Sequence, residues 1–136
     1  MIPSLSGGCL CGGLRYLVTA EPLDVGYCHC RICQRLSGAA AMVWAAVPTA
    51  AFRYVEGRPR AYRSSSWGQR EFCGRCGSQL LYRTVAQSPS LDINLPTLDA
   101  PERWPPRRHV WVSSRLPWYP LADGLPQHED DGPAAG

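Results

Sequence analysis

A chain of 136 residues and 15.0 kDa, 45% hydrophobic and 18% charged, has the size and composition of one compact domain rather than a disordered chain. A formal charge of +3 with no block of basic residues argues against nucleic acid as a partner, and the first eight residues hold neither a basic region nor an apolar run, so neither a signal peptide nor a membrane span is expected. All 14 basic residues are arginine. Chemistry that needs a lysine Schiff base is therefore excluded, and codon bias in a GC-rich genome accounts for the substitution of one cation by the other.

In chain order, short apolar runs between turn residues predict a mainly β protein. Strands are expected at Leu14–Thr19, Ala41–Val47 and Ala51–Val55. Gln69–Phe72 and Ser78–Arg83 read as a hairpin with Cys73 and Cys76 at its tip, followed by strands at Leu91–Leu95 and His109–Val112. One short helix is expected at Arg31–Leu36, and Ser64–Ser66 reads as a strand end or turn. Pro96, Pro101, Pro105 and Pro106 make 96–108 an irregular connection. Trp104, Trp111 and Trp118 are expected in the core or anchoring loops. The segment 128–136, acidic and then small, is expected to fray as a disordered tail.

Seven cysteines fall in three groups: Cys9 and Cys11; Cys28, Cys30 and Cys33; Cys73 and Cys76. A secreted disulfide framework favours an even count and a leader, whereas short spacings in a reducing cytoplasm favour metal thiolates. Both outer pairs are followed by glycine, Gly12 and Gly77, the turn that lets backbone N–H groups face the sulfurs. Pair plus pair makes a closed tetrahedron, so Cys9, Cys11, Cys73 and Cys76 are assigned to a structural zinc. Such zinc is worth on the order of 10–16 kcal/mol in small peptides, about the whole stability of a domain.

Three cysteines remain, and three protein ligands leave a fourth position open, as in catalytic zinc sites. If residues 25–30 are extended, Cys28 and Cys30 share a face and His29 points away. A turn of helix then returns Cys33 to the same side. His29 is therefore read as packed or hydrogen-bonded rather than as a ligand. Two alternatives stand beside this reading. His109, an aspartate or a partner chain would complete a structural tetrahedron, or Cys30 and Cys33 would form a redox pair.

The segments Gly7–Gly12, Cys28–Cys33 running to Gly38, and Arg70–Ser78, with His109–Arg115, Pro117–Trp118 and Asp123–Pro126, resemble the glutathione-dependent formaldehyde-activating enzyme family, which also contains the centromere protein V domain. The resemblance covers about residues 5–127 and implies a single zinc-binding domain over 1–127 with the zinc β-tent fold, short antiparallel strands and one short helix. It implies the same division of cysteines, with Cys28, Cys30 and Cys33 acting catalytically through a second zinc. The implied activity is that of a carbon–sulfur lyase run in reverse, joining glutathione and formaldehyde.

A soft three-thiolate zinc suits a substrate thiol as fourth ligand, and metal binding keeps that thiol deprotonated. Glutathione's carboxylates would need cations, and Arg31, Arg35, Arg70 and Arg75 neighbour the cysteines in sequence. Expected partners are therefore small thiols and aldehydes, with no membrane or nucleic acid, and a homodimer only as the commonest assembly. The rival reading is a zinc-stabilised interaction module with no enzymatic role, in which both metal sites are structural.

Overall fold

The computed structural model describes residues 4–133. Among them the chain forms ten strands and one α-helix: β1 (Leu5–Gly8), β2 (Arg15–Val18), β3 (Asp24–Cys28), α1 (Arg31–Ser37), β4 (Met42–Pro48), β5 (Phe52–Glu56), β6 (Arg60–Arg63), β7 (Gly68–Phe72), β8 (Gln79–Thr84), β9 (Ser90–Asn94) and β10 (Arg108–Val110). They make two sheets, one ordered β1-β2-β5 and one ordered β10-β3-β4-β9-β8-β7-β6. Pairing is antiparallel throughout except for β10 on β3, which is parallel. The mainly β class, the single short helix and the hairpin around Cys73–Cys76 agree with the sequence reading.

Successive side chains of a strand point to opposite faces, and this alternation divides the seven-stranded sheet. Val25, Ala45, Val47, Leu81, Leu91 and Ile93 lie on one face. They pack with Leu5, Leu14, Tyr16 and Val18 of the small sheet into the core. Tyr16 is buried, and its hydroxyl meets Thr97 Oγ1 at 2.7 Å, so the ring enters the core without stranding a polar group. Buried Glu71 sits between the sheets, accepts from Tyr54 Oη (2.9 Å), Gln69 Nε2 (2.9 Å) and Arg83 Nη2 (3.2 Å), and is ion-paired with that arginine. Three partners satisfy a carboxylate that would otherwise be costly to bury.

Two strands were not legible. Ser6-Gly7-Gly8 lacks strand-forming side chains, yet β1 forms because the Tyr16 ring fills the space beside Gly7; a Cβ there would lie 2.5 Å from that ring and from the Thr97 carbonyl. The β6 strand is an edge with all four residues exposed, so no apolar alternation marks it. His109–Val112 is a strand only to Val110, since Trp111 adopts a left-handed backbone (φ 57°) and the chain enters a 3-10 turn, Val112–Ser114. Trp104 packs against the core, whereas Trp118 is 71% exposed rather than buried or anchoring.

The segment expected to fray also differs. Gln127 bridges to His109, and the carbonyls of His128 and Asp130 accept from Val112 N and Trp111 N, both at 3.0 Å. The Trp111 indole donates to Asp131 Oδ1 at 2.6 Å and Arg108 to the Asp131 carbonyl at 2.9 Å. Residues 134–136 of the expected tail lie outside the described residues.

Candidate metal centres and active-site cavity

The sequence groups the cysteines by spacing, and the fold gathers them in the same way. The sulfurs of Cys9, Cys11, Cys73 and Cys76 all lie within 4.8 Å of one another, with Cys9–Cys11 at 3.6 Å and Cys11–Cys73 at 3.7 Å. Four thiolates on one zinc at about 2.3 Å stand about 3.8 Å apart by tetrahedral geometry, so this set has the size of a zinc site. Backbone amides face the sulfurs as well: Leu14 N donates to Cys9 Sγ (3.2 Å), and Arg75 N and Cys76 N to Cys73 Sγ (both 3.4 Å). Gly12 and Gly77 make these turns possible with φ of 79° and 80°, a backbone costly for any residue with a Cβ. Hydrogen bonds from the Ser78 hydroxyl and backbone bring the Cys76 thiol down to about 5, favouring the thiolate a metal requires.

The second cluster, Cys28, Cys30 and Cys33, is equally tight: its sulfurs lie within 4.8 Å of one another. Cys28 closes β3, while Cys30 caps α1 with its sulfur accepting from Cys33 N at 3.3 Å. The helix ends at Gly38 in the left-handed region, whose N–H bonds the Gln34 carbonyl. Hydrogen bonds from the Cys28 and Cys33 thiols lower Cys30 to about 2, while bonding to Cys30 and Cys33, then burial, pushes Cys28 up. Adjacent sulfurs oppose one another's ionisation, which a cation among them would relieve. Among the described residues, no fourth Cys, His, Asp or Glu donor joins the set. The donor chemistry fits a metal with one position left for another ligand.

His29 behaves as the alternation predicts. It is fully buried on the far side of the strand, where its Nε2 lies 2.9 Å from His109 Nδ1, and His109 Nε2 lies 2.8 Å from Asp123 Oδ2. Tyr27 stacks on His109 with ring centroids 4.5 Å apart. Burial, then His109, holds His29 below the ordinary histidine range, while the bond from His109 lowers the Asp123 carboxyl. With both ring nitrogens engaged in this chain, His109 does not complete the cysteine trio. Gln34 links helix and chain, donating to the carbonyls of His29 (2.7 Å) and Ser114 (3.1 Å).

The trio opens into a cavity of about 920 Å³ whose floor is the second face of the large sheet. Asp24, Trp44, Met42, Tyr82, Asp92 and Arg70 all project there from alternating strand positions. Ala46, Asp92, Tyr82 and Arg70 form one row across four strands. Arg70 reaches Cys33 Sγ with its two terminal nitrogens at 3.8 and 3.9 Å, lies over the Tyr82 ring at 4.6 Å, and donates from Nε to Ser64 Oγ at 3.4 Å. Burial pushes the Asp92 carboxyl up to about 6 against the pull of Arg70.

Of the four arginines singled out by sequence, Arg70 and Arg31 line the cavity, Arg31 bonded to the Gln34 side chain. Arg35 and Arg75 are exposed and do not line it. Arg75 follows Cys73 in sequence and so sits at the other cysteine cluster. Arg108, which sequence proximity missed, lines the cavity from β10 and is paired with Asp24 at 2.7 Å.

A family model described as "Glutathione-dependent formaldehyde-activating enzyme" matches residues 4–114. A Schizosaccharomyces pombe protein named an uncharacterized lyase is 28% identical over 89 residues, 60% of this chain and 58% of that protein, so the match spans little more than half of the relative. A crystal structure of a Rhodobacter sphaeroides protein has the same fold, with a TM-score of 0.58 and 21% identity over 90% of this chain and 98% of that one.

Proposed function

The chain belongs to the glutathione-dependent formaldehyde-activating enzyme family, and we propose from this that it is a zinc-dependent carbon–sulfur lyase. Its reaction joins glutathione, or another thiol, to formaldehyde or a related small electrophile over Cys28, Cys30 and Cys33. The observation that carries this reading is the trio itself: three sulfurs within 4.8 Å, no fourth protein donor among the described residues, and a cavity of about 920 Å³ above them. A purely structural zinc needs four closed ligands and no cavity.

Cys28, Cys30 and Cys33 would hold the catalytic zinc, and Cys9, Cys11, Cys73 and Cys76 a structural one, two per chain. When bound at the trio, zinc supplies a soft Lewis acid that keeps a thiol ionised near neutral pH. Three thiolates against a 2+ ion leave one negative charge, and Arg70 beside Cys33 offsets it. Its stacking on Tyr82 and its bond to Ser64 fix the guanidinium in place. Arg31 at the cavity edge offers a second cation for a glutathione carboxylate. The contribution of the protein is then mainly to bring thiol and carbonyl together in one orientation. Thiolates of this kind belong in a reducing compartment such as the cytoplasm.

Two measurements test the reading together. The intact protein is expected to carry two zinc ions and to bind glutathione below millimolar concentration. Cys30→Ser replaces the capping sulfur with a capping oxygen and should fold, keep one zinc and lose glutathione binding. Absence of glutathione binding in the unmodified protein, with one zinc or two, would instead favour a zinc-stabilised interaction module.

A further inference from the structure

The cavity of about 920 Å³ has the size of a pocket for a drug-sized ligand, and in the reading above it holds glutathione as well as the electrophile, so the character of its walls decides what the electrophile is. Its walls are rich in aromatic side chains. Trp44 lies across β3 directly over Gly26, where a Cβ would stand 2.6 Å from the indole, and Arg108 covers it at 5.6 Å. Tyr82 is seated in the same way over Gly68, where a Cβ would stand 2.3 Å from the ring, with Arg70 above it. Both rings are thus fixed plates before any ligand arrives, which lowers the ordering cost of binding against them.

The rim continues this character outward. Trp67 is 65% exposed, Ile32 45% and Trp111 36%, yet all three line the same cavity that reaches the cysteine trio. Large apolar side chains left in water around one opening mark a binding site rather than a random surface. Of the cavity's arginines, Arg108 is neutralised by Asp24 at 2.7 Å, which leaves Arg31 and Arg70 as the cations for the thiol partner and its carboxylates.

We propose that the electrophile this site takes is an aldehyde carrying an aromatic or extended apolar group, whose body lies between Trp44, Tyr82 and Trp67 while its carbonyl faces the trio. This rests on the thiol-plus-carbonyl reading above and specifies the carbonyl partner. In the reaction the thiol sulfur bonds to the carbonyl carbon, the carbonyl π pair moves to oxygen, and the thiol proton ends on that oxygen. Nothing is oxidised or reduced, and the product is a thiohemiacetal.

Two inert thioethers, S-methylglutathione and S-benzylglutathione, mimic the small and the aromatic product, and binding of each to the zinc-loaded protein is read by tryptophan fluorescence and calorimetry. The benzyl compound is expected to bind at least tenfold more tightly. Trp67→Ser should narrow that ratio to below threefold, and Trp118→Ser, at an exposed indole outside the cavity, should leave it intact. Equal affinities within threefold would overturn the aromatic assignment and leave the glutathione reading standing. Binding of benzyl mercaptan with no binding of any glutathione derivative would overturn the glutathione reading and leave the aromatic assignment standing. No binding by any of them would overturn both.

Discussion

Asp92 offers a quantitative check on the cavity. Its side chain leaves the middle of the large sheet between Ala46 and Tyr82, partly buried, and burial outweighs the attraction of Arg70, raising its carboxyl from 3.8 to about 6. A difference of about two units, at 1.36 kcal/mol each, makes the charged form about 3 kcal/mol less favourable in the folded protein than in the unfolded chain. The sign follows from the protons bound. Between the two values the folded state holds the proton more tightly, so stability falls as pH rises through that window and the full cost is present above about pH 7. Asp92→Asn keeps the shape and removes the charge. It should therefore stabilise the zinc-loaded protein by about 3 kcal/mol at pH 8, and by roughly half as much at pH 5, where Asp92 is mostly protonated when folded. In urea, with slopes of about 1–3 kcal/mol/M for small proteins, this is a rise of about 1–3 M in midpoint at pH 8, with zinc content checked at each pH. A gain independent of pH, or a loss at pH 8, would refute the reasoning and mean that Arg70 pays back the burial of the carboxylate.

Removing zinc with a strong chelator should abolish cooperative melting, because the four-cysteine cluster ties the β1–β2 turn to the β7–β8 hairpin and such sites contribute on the order of 10 kcal/mol; an unchanged melting temperature would contradict it. Gly57→Ala should cost more than about 2 kcal/mol in urea melts, since Gly57 has φ 73° and a Cβ would stand 2.1 Å from the Gly13 carbonyl. Tyr16→Phe should cost about 1 kcal/mol by the same assay, as the lost hydroxyl met Thr97, which keeps its bond to the Asn94 carbonyl.

The cysteine clusters were legible because the chain carries their geometry locally. Pairs at short spacing followed by glycine need only a tight turn, and one strand-to-helix step is enough to gather Cys28, Cys30 and Cys33. The cavity was not legible for the opposite reason. Arg70, Tyr82, Asp92 and Ala46 come from four strands and meet through register alone, information that no short window of sequence contains. Arg75 shows the same limit from the other side, since adjacency to Cys73 placed it beside the wrong cluster. The segment after Gln127 looked like a tail by composition, but its backbone is taken up by donors from Trp111 and Val112, which present themselves only because Trp111 turns into the left-handed region.

The alternation that splits the large sheet has an evolutionary consequence. Odd-numbered positions of β4 and β9 build the core with the small sheet, and even-numbered ones face the cavity. Substitutions at Met42, Trp44, Asp92 or Asn94 can reshape what enters the cavity without repacking Val47, Leu91 or Ile93 behind them. Preference for substrate is thereby free to drift on one face of the same strands whose other face is held constant by folding. A scaffold so divided can keep its cysteine clusters and its fold while its members part in sequence and in the molecules they accept.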